Sequence, residues 1–234
     1  MDIYVADAES FYDTKQKYGL RSCTTEEYIN DPKFHCFGFS FKKNDEPSFW
    51  VPGTQLAEAF ADLELHKHAV IAHNAPFDMA ILNWKYGVKP KFIIDTLSMA
   101  RALLGTEERL SLAALAERFG LGVKGDTVLH MDGIRHPDAY MARKLGEYAC
   151  NDADLEWDLW KVLKPHFPVA ELQVIDMTVR MFTEPSFVLD PVPIEREIFL
   201  GEQNKDRLLE AAGCGLDDLR SDPKFALVLE SLGV

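Results

Sequence analysis

The chain has 234 residues, 47% of them apolar and 27% charged, an ordinary balance for a globular protein with a real core and room for one good-sized domain plus an appendage. No apolar run reaches membrane-helix length, the N-terminal MDIYVADAES has no basic region of a signal peptide, and Cys23, Cys36, Cys150 and Cys214 form no Cys-x-x-Cys pair, so a cytoplasmic protein with reduced thiols and no membrane partner is expected. The net charge of −13 argues against a strong grip on long duplex nucleic acid and predicts salt-sensitive binding of any nucleic acid, although two bound dications would offset four of those charges.

Ile3–Ala6 is a short apolar run ending in acids and predicts a central strand. His35–Phe41 and Pro47–Val51, separated by the turn signal Lys43-Asn44-Asp45-Glu46, predict a hairpin. Thr54 is the expected cap of a helix reaching about Leu65, and Ala69–Ala72 is a buried strand. Ala75–Tyr86 has helical spacing, with Met79, Leu82 and Tyr86 on one stripe, and ends at Gly87; Asn74 is its expected cap. Phe92–Ile94 is a further strand, and Ser111 caps an amphipathic helix from Leu112 to Phe119, closed by Gly120. Pro137 opens a long helix reaching about Leu163. Pro165-His166-Phe167-Pro168 marks a boundary, followed by helices over Ala170–Phe182 and Pro193–Ala212 and a helical tail, Leu216–Val234, interrupted near Asp222-Pro223. Strands interleaved with helices predict an α/β sheet covered on both faces, with ligands at the carboxyl ends of its strands.

Three motifs carry chemistry. Asp7-Ala8-Glu9 puts two carboxylates on one side of a strand, where each raises the other's pKa unless a cation lies between them. Oxygen donors of this kind suit Mg²⁺ or Mn²⁺ rather than zinc. His73-Asn74-Ala75-Pro76-Phe77-Asp78 places Asp78 in the first turn of a helix that follows a buried strand. Tyr148-Ala149-Cys150-Asn151-Asp152 puts Tyr148 and Asp152 four apart on one helix face, beside Leu145 and Leu155 or Glu156. Each motif alone also has a plainer reading: solvated acids at a strand end, an acid complementing a helix dipole, or a core tyrosine near a surface aspartate.

Taken in order, these motifs resemble the DEDD exonucleases, and the tyrosine resembles the DEDDy branch, over residues 1 to about 165. Phe92-Ile93-Ile94-Asp95-Thr96-Leu97, Ser111-Leu112 and Leu121-Gly122-Val123-Lys124-Gly125 are similar to the exonuclease domains of family A DNA polymerases. The segment from Thr25 to Phe34 and the tail pieces Glu171-Leu172-Gln173, Arg180-Met181-Phe182, Leu189-Asp190 and Pro223-Lys224-Phe225-Ala226 resemble phage-type members. Ser10 stands where that family usually has threonine, and none of the polymerase's own catalytic motifs is present.

The resemblance implies a ribonuclease H-like mixed sheet flanked by helices over residues 1–167. It also implies a helical appendage over 168–234 akin to the start of a polymerase thumb. It implies two divalent cations, Mg²⁺ or Mn²⁺, held by Asp7, Glu9, Asp78 and Asp152, with Tyr148 orienting water during trimming of single-stranded DNA 3′ ends. A polymerase domain or subunit is the implied partner, and host-cell cytoplasm the place of action for a phage-encoded member. Ser10, Asn74 and Phe77 are the expected substrate contacts. An RNA-trimming enzyme of the same branch and a silent module of a replication complex are the alternatives. Lys124 reads as a solvated loop lysine, His66 and His68 as a solvated helix end, and Asp95 as a helix cap or support for the site rather than a ligand. His130 and His136 flank a loop to which the sequence gives no task.

Overall fold

The computed structural model describes residues 1–233. Two compact units divide the chain, residues 1–185 and 186–233; Val234, the end of the expected helical tail, lies outside the described residues.

The first unit is built on a five-stranded mixed sheet in the order β3-β2-β1-β4-β5. Its strands are β1 (Ile3–Ser10), β2 (Cys36–Lys43), β3 (Phe49–Pro52), β4 (Ala69–Ala72) and β5 (Phe92–Asp95). β1 pairs antiparallel with β2 and parallel with β4, and β5 continues the parallel side. On one face Tyr4, Ala6, Phe39, Phe41 and Val70 pack against α1 (Thr25–Asn30), α2 (Leu56–Leu63) and α3 (Pro76–Tyr86). On the other, Val5, Ala69, Ile71 and Ile94 pack against α4 (Thr96–Leu104), α5 (Leu112–Phe119) and the 25-residue α6 (Ala139–Leu163). This is the expected helix-flanked, ribonuclease H-like sheet. α6 lies close over the sheet because Gly146 has no side chain: a Cβ there would come within 2.9 Å of the Trp50 ring.

Several local expectations are corrected. β1 runs four residues beyond Ala6, so Asp7 and Glu9 lie inside the strand, ahead of a register shift between Glu9 and Ser10. Thr54 is not a cap: a short 3₁₀ turn, Gly53–Gln55, leads into α2 without any side-chain cap. Asn74 does not cap α3 either. It adopts a left-handed backbone (φ 73°), and the N–H groups of Asn74 and Ala75 both donate to Asp95 Oδ1, at 2.9 and 3.2 Å. α4 was not anticipated, although Asp95 at the end of β5 has the capping role read for it, accepting from Leu97 N and Ser98 Oγ. Pro137 precedes α6 rather than opening it, the cap being Asp138. His68 is not solvated but accepts from Asp2 N and lies 3.8 Å from the Asp2 carboxylate.

The first unit also extends past the expected boundary at 167/168. α7 (Val169–Thr183) packs on α3 and β5; Ile93 N donates to Asp176 Oδ1 (2.7 Å) and Trp84 Nε1 donates to the Thr183 carbonyl (2.9 Å). The second unit holds α8 (Pro191–Ala212), α9 (Leu216–Leu219) and α10 (Asp222–Ser231). Asp190 caps α8, and Gly213 ends it in a left-handed turn at φ 64°. Leu208, Leu209, Leu216, Phe225 and Leu229 face a common apolar hollow within this unit.

Asp95 is 2% exposed and ties three backbone segments together. Asp95→Ala strands three N–H groups, and a loss of about 3 kcal/mol in urea denaturation is expected. A variant as stable as the parent would show that the turn before α3 does not depend on this carboxylate.

Candidate active site

Period-two alternation points Val5, Asp7 and Glu9 of β1 toward α6. Ser40, directly opposite Asp7 in β2, shares that face. From α6 the stripe Tyr148, Asp152 and Glu156, spaced four apart, is buried against the sheet. Carboxylate oxygens of Asp7, Glu9 and Asp152 come within 4.8 Å of one another. Asp78, buried in the first turn of α3, accepts from Ala8 N at 3.0 Å, which fixes it beside Asp7 where β1 outruns β4. The three motifs, far apart in sequence, thus converge on one place.

Glu9, Asp78 and Asp152 are nearly sealed from solvent. Asp7 reaches the surface in part, but its Oδ2 is buried without a partner, as are Asp152 Oδ1, Glu156 Oε2 and Ser40 Oγ among the described residues. Burial, then the charge of Asp152, raises Asp7 to about 7. Burial and neighbouring acids hold Glu9, Asp78 and Glu156 well above the ordinary carboxylate range. Burial raises Asp152 as well, against the pull of Lys124. The Tyr148 phenol is pushed up by burial, then by Asp152 and Glu9.

One cation answers this charge. Lys124 Nζ lies 2.6 Å from Asp152 Oδ2 and 5.4 Å from the centre of the Tyr148 ring. It is not the solvated lysine expected from the sequence. Burial pulls its ammonium pKa down, but Asp152, Asp7 and Glu156 outweigh that and hold it above the usual lysine value. Its loop closes onto α6 because residue 125 is glycine: a Cβ there would stand 3.1 Å from the Tyr148 ring. Lys124, Asn74, His73 and Arg101 line an open cleft of about 570 Å³. His73 is structural, bonded through Nε2 to the Leu110 carbonyl and through Nδ1 to Thr96 Oγ1.

The other expected contacts form one patch. Ser10 Oγ shares a hydrogen bond with Tyr28 OH (2.9 Å), and the Tyr28 and Phe77 ring centres are 6.0 Å apart. The 127–133 stretch is fastened rather than free: the Tyr12 hydroxyl donates to the Val128 carbonyl and Thr14 N to Asp132 Oδ1, both at 2.8 Å. Glu156 was noted in the sequence only as a neighbour on the helix face. Its four-residue spacing from Asp152 was the available signal, but the same spacing fits a core-facing or a solvated acid.

These residues fit a divalent metal centre. Every donor is a hard carboxylate oxygen, several donor atoms lack any partner, and an ammonium group stands against the cluster. The raised carboxylates disfavour the ionised folded state, so the metal-free protein loses stability as pH rises from the unfolded aspartate value near 4 through about 7. Cations that replace those protons should therefore raise the melting temperature more at pH 8 than at pH 5.5, as read by thermal melts in Mg²⁺ and in EDTA. An Mg²⁺ effect equal at both pH values would contradict this assignment.

Residues 51–167, half of the chain, match a family model described as 3′-5′ exonuclease; Asp78, Lys124, Tyr148 and Asp152 fall within the match and Asp7 and Glu9 before it. No curated protein sequence matches the chain. Among solved structures, Brucella melitensis NrnC, recorded bound to pGG and with bound Mg²⁺, is similar at TM-score 0.55 and 15% identity, over 78% of this chain and 83% of that one. Trypanosoma brucei RNase D in complex with RNA U12 is similar at TM-score 0.57 and 16% identity, over 80% and 65%. The catalytic core of Trypanosoma brucei RRP6 gives TM-score 0.55 and 16% identity over 77% of this chain and 45% of that one. At such identities the likeness is one of fold, and it is the family match, with the acids gathered at one end of the sheet, that assigns the chain: it belongs to the 3′-5′ exonuclease family.

Proposed function

We propose that this protein is a metal-dependent exonuclease that removes nucleotides from single-stranded DNA 3′ ends, in the manner of the proofreading domains of family A polymerases. The observation that carries the reading is the convergence of Asp7, Glu9, Asp78, Tyr148 and Asp152 on one buried spot beside an open cleft. Two divalent cations bound there would polarise the scissile phosphate and acidify the attacking water.

The chain's own residues have these tasks. Asp7, Glu9 and Asp152 would hold one cation, and Asp78, fixed by Ala8 N beside Asp7, would help to hold a second. Tyr148 stays protonated at neutral pH, since burial and the acids raise its pKa, so it orients water by hydrogen bonding and does not take its proton. Lys124 neutralises Asp152 in the metal-free protein, and it lines the cleft where an incoming phosphate would pass. Asn74 in that cleft, and the Ser10–Tyr28–Phe77 patch next to Glu9, are the contacts for the terminal nucleotide. Stacking and a few polar contacts replace a basic groove, in keeping with a chain of charge −13.

The DNA reading is supported by the 25–34 segment and the tail, which resemble phage-type family A polymerases, alongside a connecting region similar to family A exonuclease domains. The second reading, an RNA-trimming enzyme, draws on NrnC bound to pGG and RNase D bound to RNA U12, which share the fold. The acids serve either sugar equally.

Incubation of 5′-labelled single-stranded DNA and RNA of one sequence separates the two. DNA should shorten as a ladder from its 3′ end in Mg²⁺, and EDTA, Asp7→Ala or Asp152→Ala should abolish the ladder. Equal or faster cutting of RNA would favour the second reading, and degradation of a 3′-blocked strand would sink the exonuclease assignment. Tyr148→Phe keeps the ring but loses the hydroxyl; turnover should fall roughly 100-fold with little change in KM. An unchanged turnover would remove Tyr148 from the mechanism.

A further inference from the structure

Among the described residues, two of the four unpartnered buried side-chain oxygens belong to residues without a role so far, Ser40 and Glu156. Ser40 is fully buried across from Asp7, and its hydroxyl keeps the strand side of the layer polar. Glu156 lies one turn beyond Asp152 and two beyond Tyr148 on the stripe of α6 that faces the sheet, and is 2% exposed. A carboxylate in such a layer is normally met by Arg, Lys or backbone N–H donors, because an unpaired buried charge costs several kcal/mol. Among the described residues Glu156 Oε2 has no such partner. The charges that act on it are those of Asp7, Asp78 and Asp152, opposed by that of Lys124. Three carboxylates and one lysine thus act on a fourth carboxylate that keeps an unpartnered oxygen.

We propose that Glu156 is a metal-binding carboxylate of this centre, holding a divalent cation together with Asp7 from the α6 side. The assignment rests on the metal-dependent reading given above. It explains why an acid, rather than an apolar residue, continues the stripe below Asp152, where Ala153, Leu155, Leu159 and Trp160 otherwise form the core.

Calorimetric titration of Mn²⁺ into the full chain, metal-free at the start, tests this without reference to turnover. The parent should bind Mn²⁺, Glu156→Gln should weaken the affinity at least roughly 10-fold, and Glu156→Asp should fall between them. Mn²⁺ should also raise the melting temperature of Glu156→Gln less than that of the parent. Parental Mn²⁺ affinity in Glu156→Gln, with a higher metal-free melting temperature, is the signature of a merely structural buried acid and would overturn the proposal. If Glu156→Gln gives no cooperative melt, Glu156→Asp decides: weakened Mn²⁺ binding supports the role and parental binding overturns it. A parent that takes up no Mn²⁺ and cuts no 3′ end would overturn the exonuclease reading beneath it, whereas an active, Mn²⁺-binding parent with an indifferent Glu156 would overturn this inference alone.

Discussion

Like charges sealed between a strand and a helix are the constraint from which the first unit is built. Asp7 and Glu9 on β1 face Asp152 and Glu156 on α6, and Asp78 closes the group from α3. Left without counter-charge, such a layer would drive α6 off the sheet, because each buried carboxylate gives up hydration that its neighbours do not replace. The protein meets this locally with Lys124, carried on a loop whose glycine lets it reach Tyr148, and with raised pKa values that leave protons on part of the cluster. Elsewhere the packing is apolar and dense: Gly146 under the Trp50 ring, and Val5, Ile71 and Ile94 against α4, α5 and α6. That apolar frame holds the acids together and leaves cations as the agents that complete the layer.

How much of this was legible in the sequence followed from the range of the interactions. β4 and α5 stand where periodicity and the Ser111 and Gly120 caps put them, because their signals are local. The site motifs were legible as an ordered set, since period two in β1 and period four in α6 fix which side chains share a face. The strand over Phe92–Ile94 and a capping role for Asp95 were legible, but the helix that Asp95 starts was not assigned from the sequence. The same carboxylate bears on the cap wrongly expected at Asn74: it accepts from Asn74 N and Ala75 N across twenty residues of sequence, in a turn where Asn74 has a left-handed backbone rather than the extended one of an N-cap. Lys124 was read as solvated for a similar reason, as its partner lies on α6 and no local pattern marks the pair. Glu156 was visible but undecided, because spacing reveals a face and not what the face meets. The extension of the first unit through α7 escaped notice because the Pro165–Pro168 signal marks a turn, whereas the contacts of Asp176 and Thr183 with β5 and α3 decide compactness.

Fold and chemistry constrain function to different degrees. The family match and the carboxylate cluster bear on the reaction, hydrolysis at a 3′ end, while the shared fold with NrnC, RNase D and RRP6 carries no information on the sugar. Discrimination between DNA and RNA would fall to the cleft lined by Asn74 and Lys124 and to the patch around Ser10, not to the acids. On the proposed reading, selectivity and catalysis would rest on different groups of residues, which would allow one to change without loss of the other.

The central claim is that the buried carboxylates form a cation site for which Lys124 stands in. Crystals of the full chain soaked in Mn²⁺ and measured at the manganese edge test it most directly. The account predicts an anomalous peak among Asp7, Glu9 and Asp152, with the Lys124 ammonium withdrawn from Asp152. Fully soaked crystals with no peak there and the Lys124–Asp152 pair intact would contradict it.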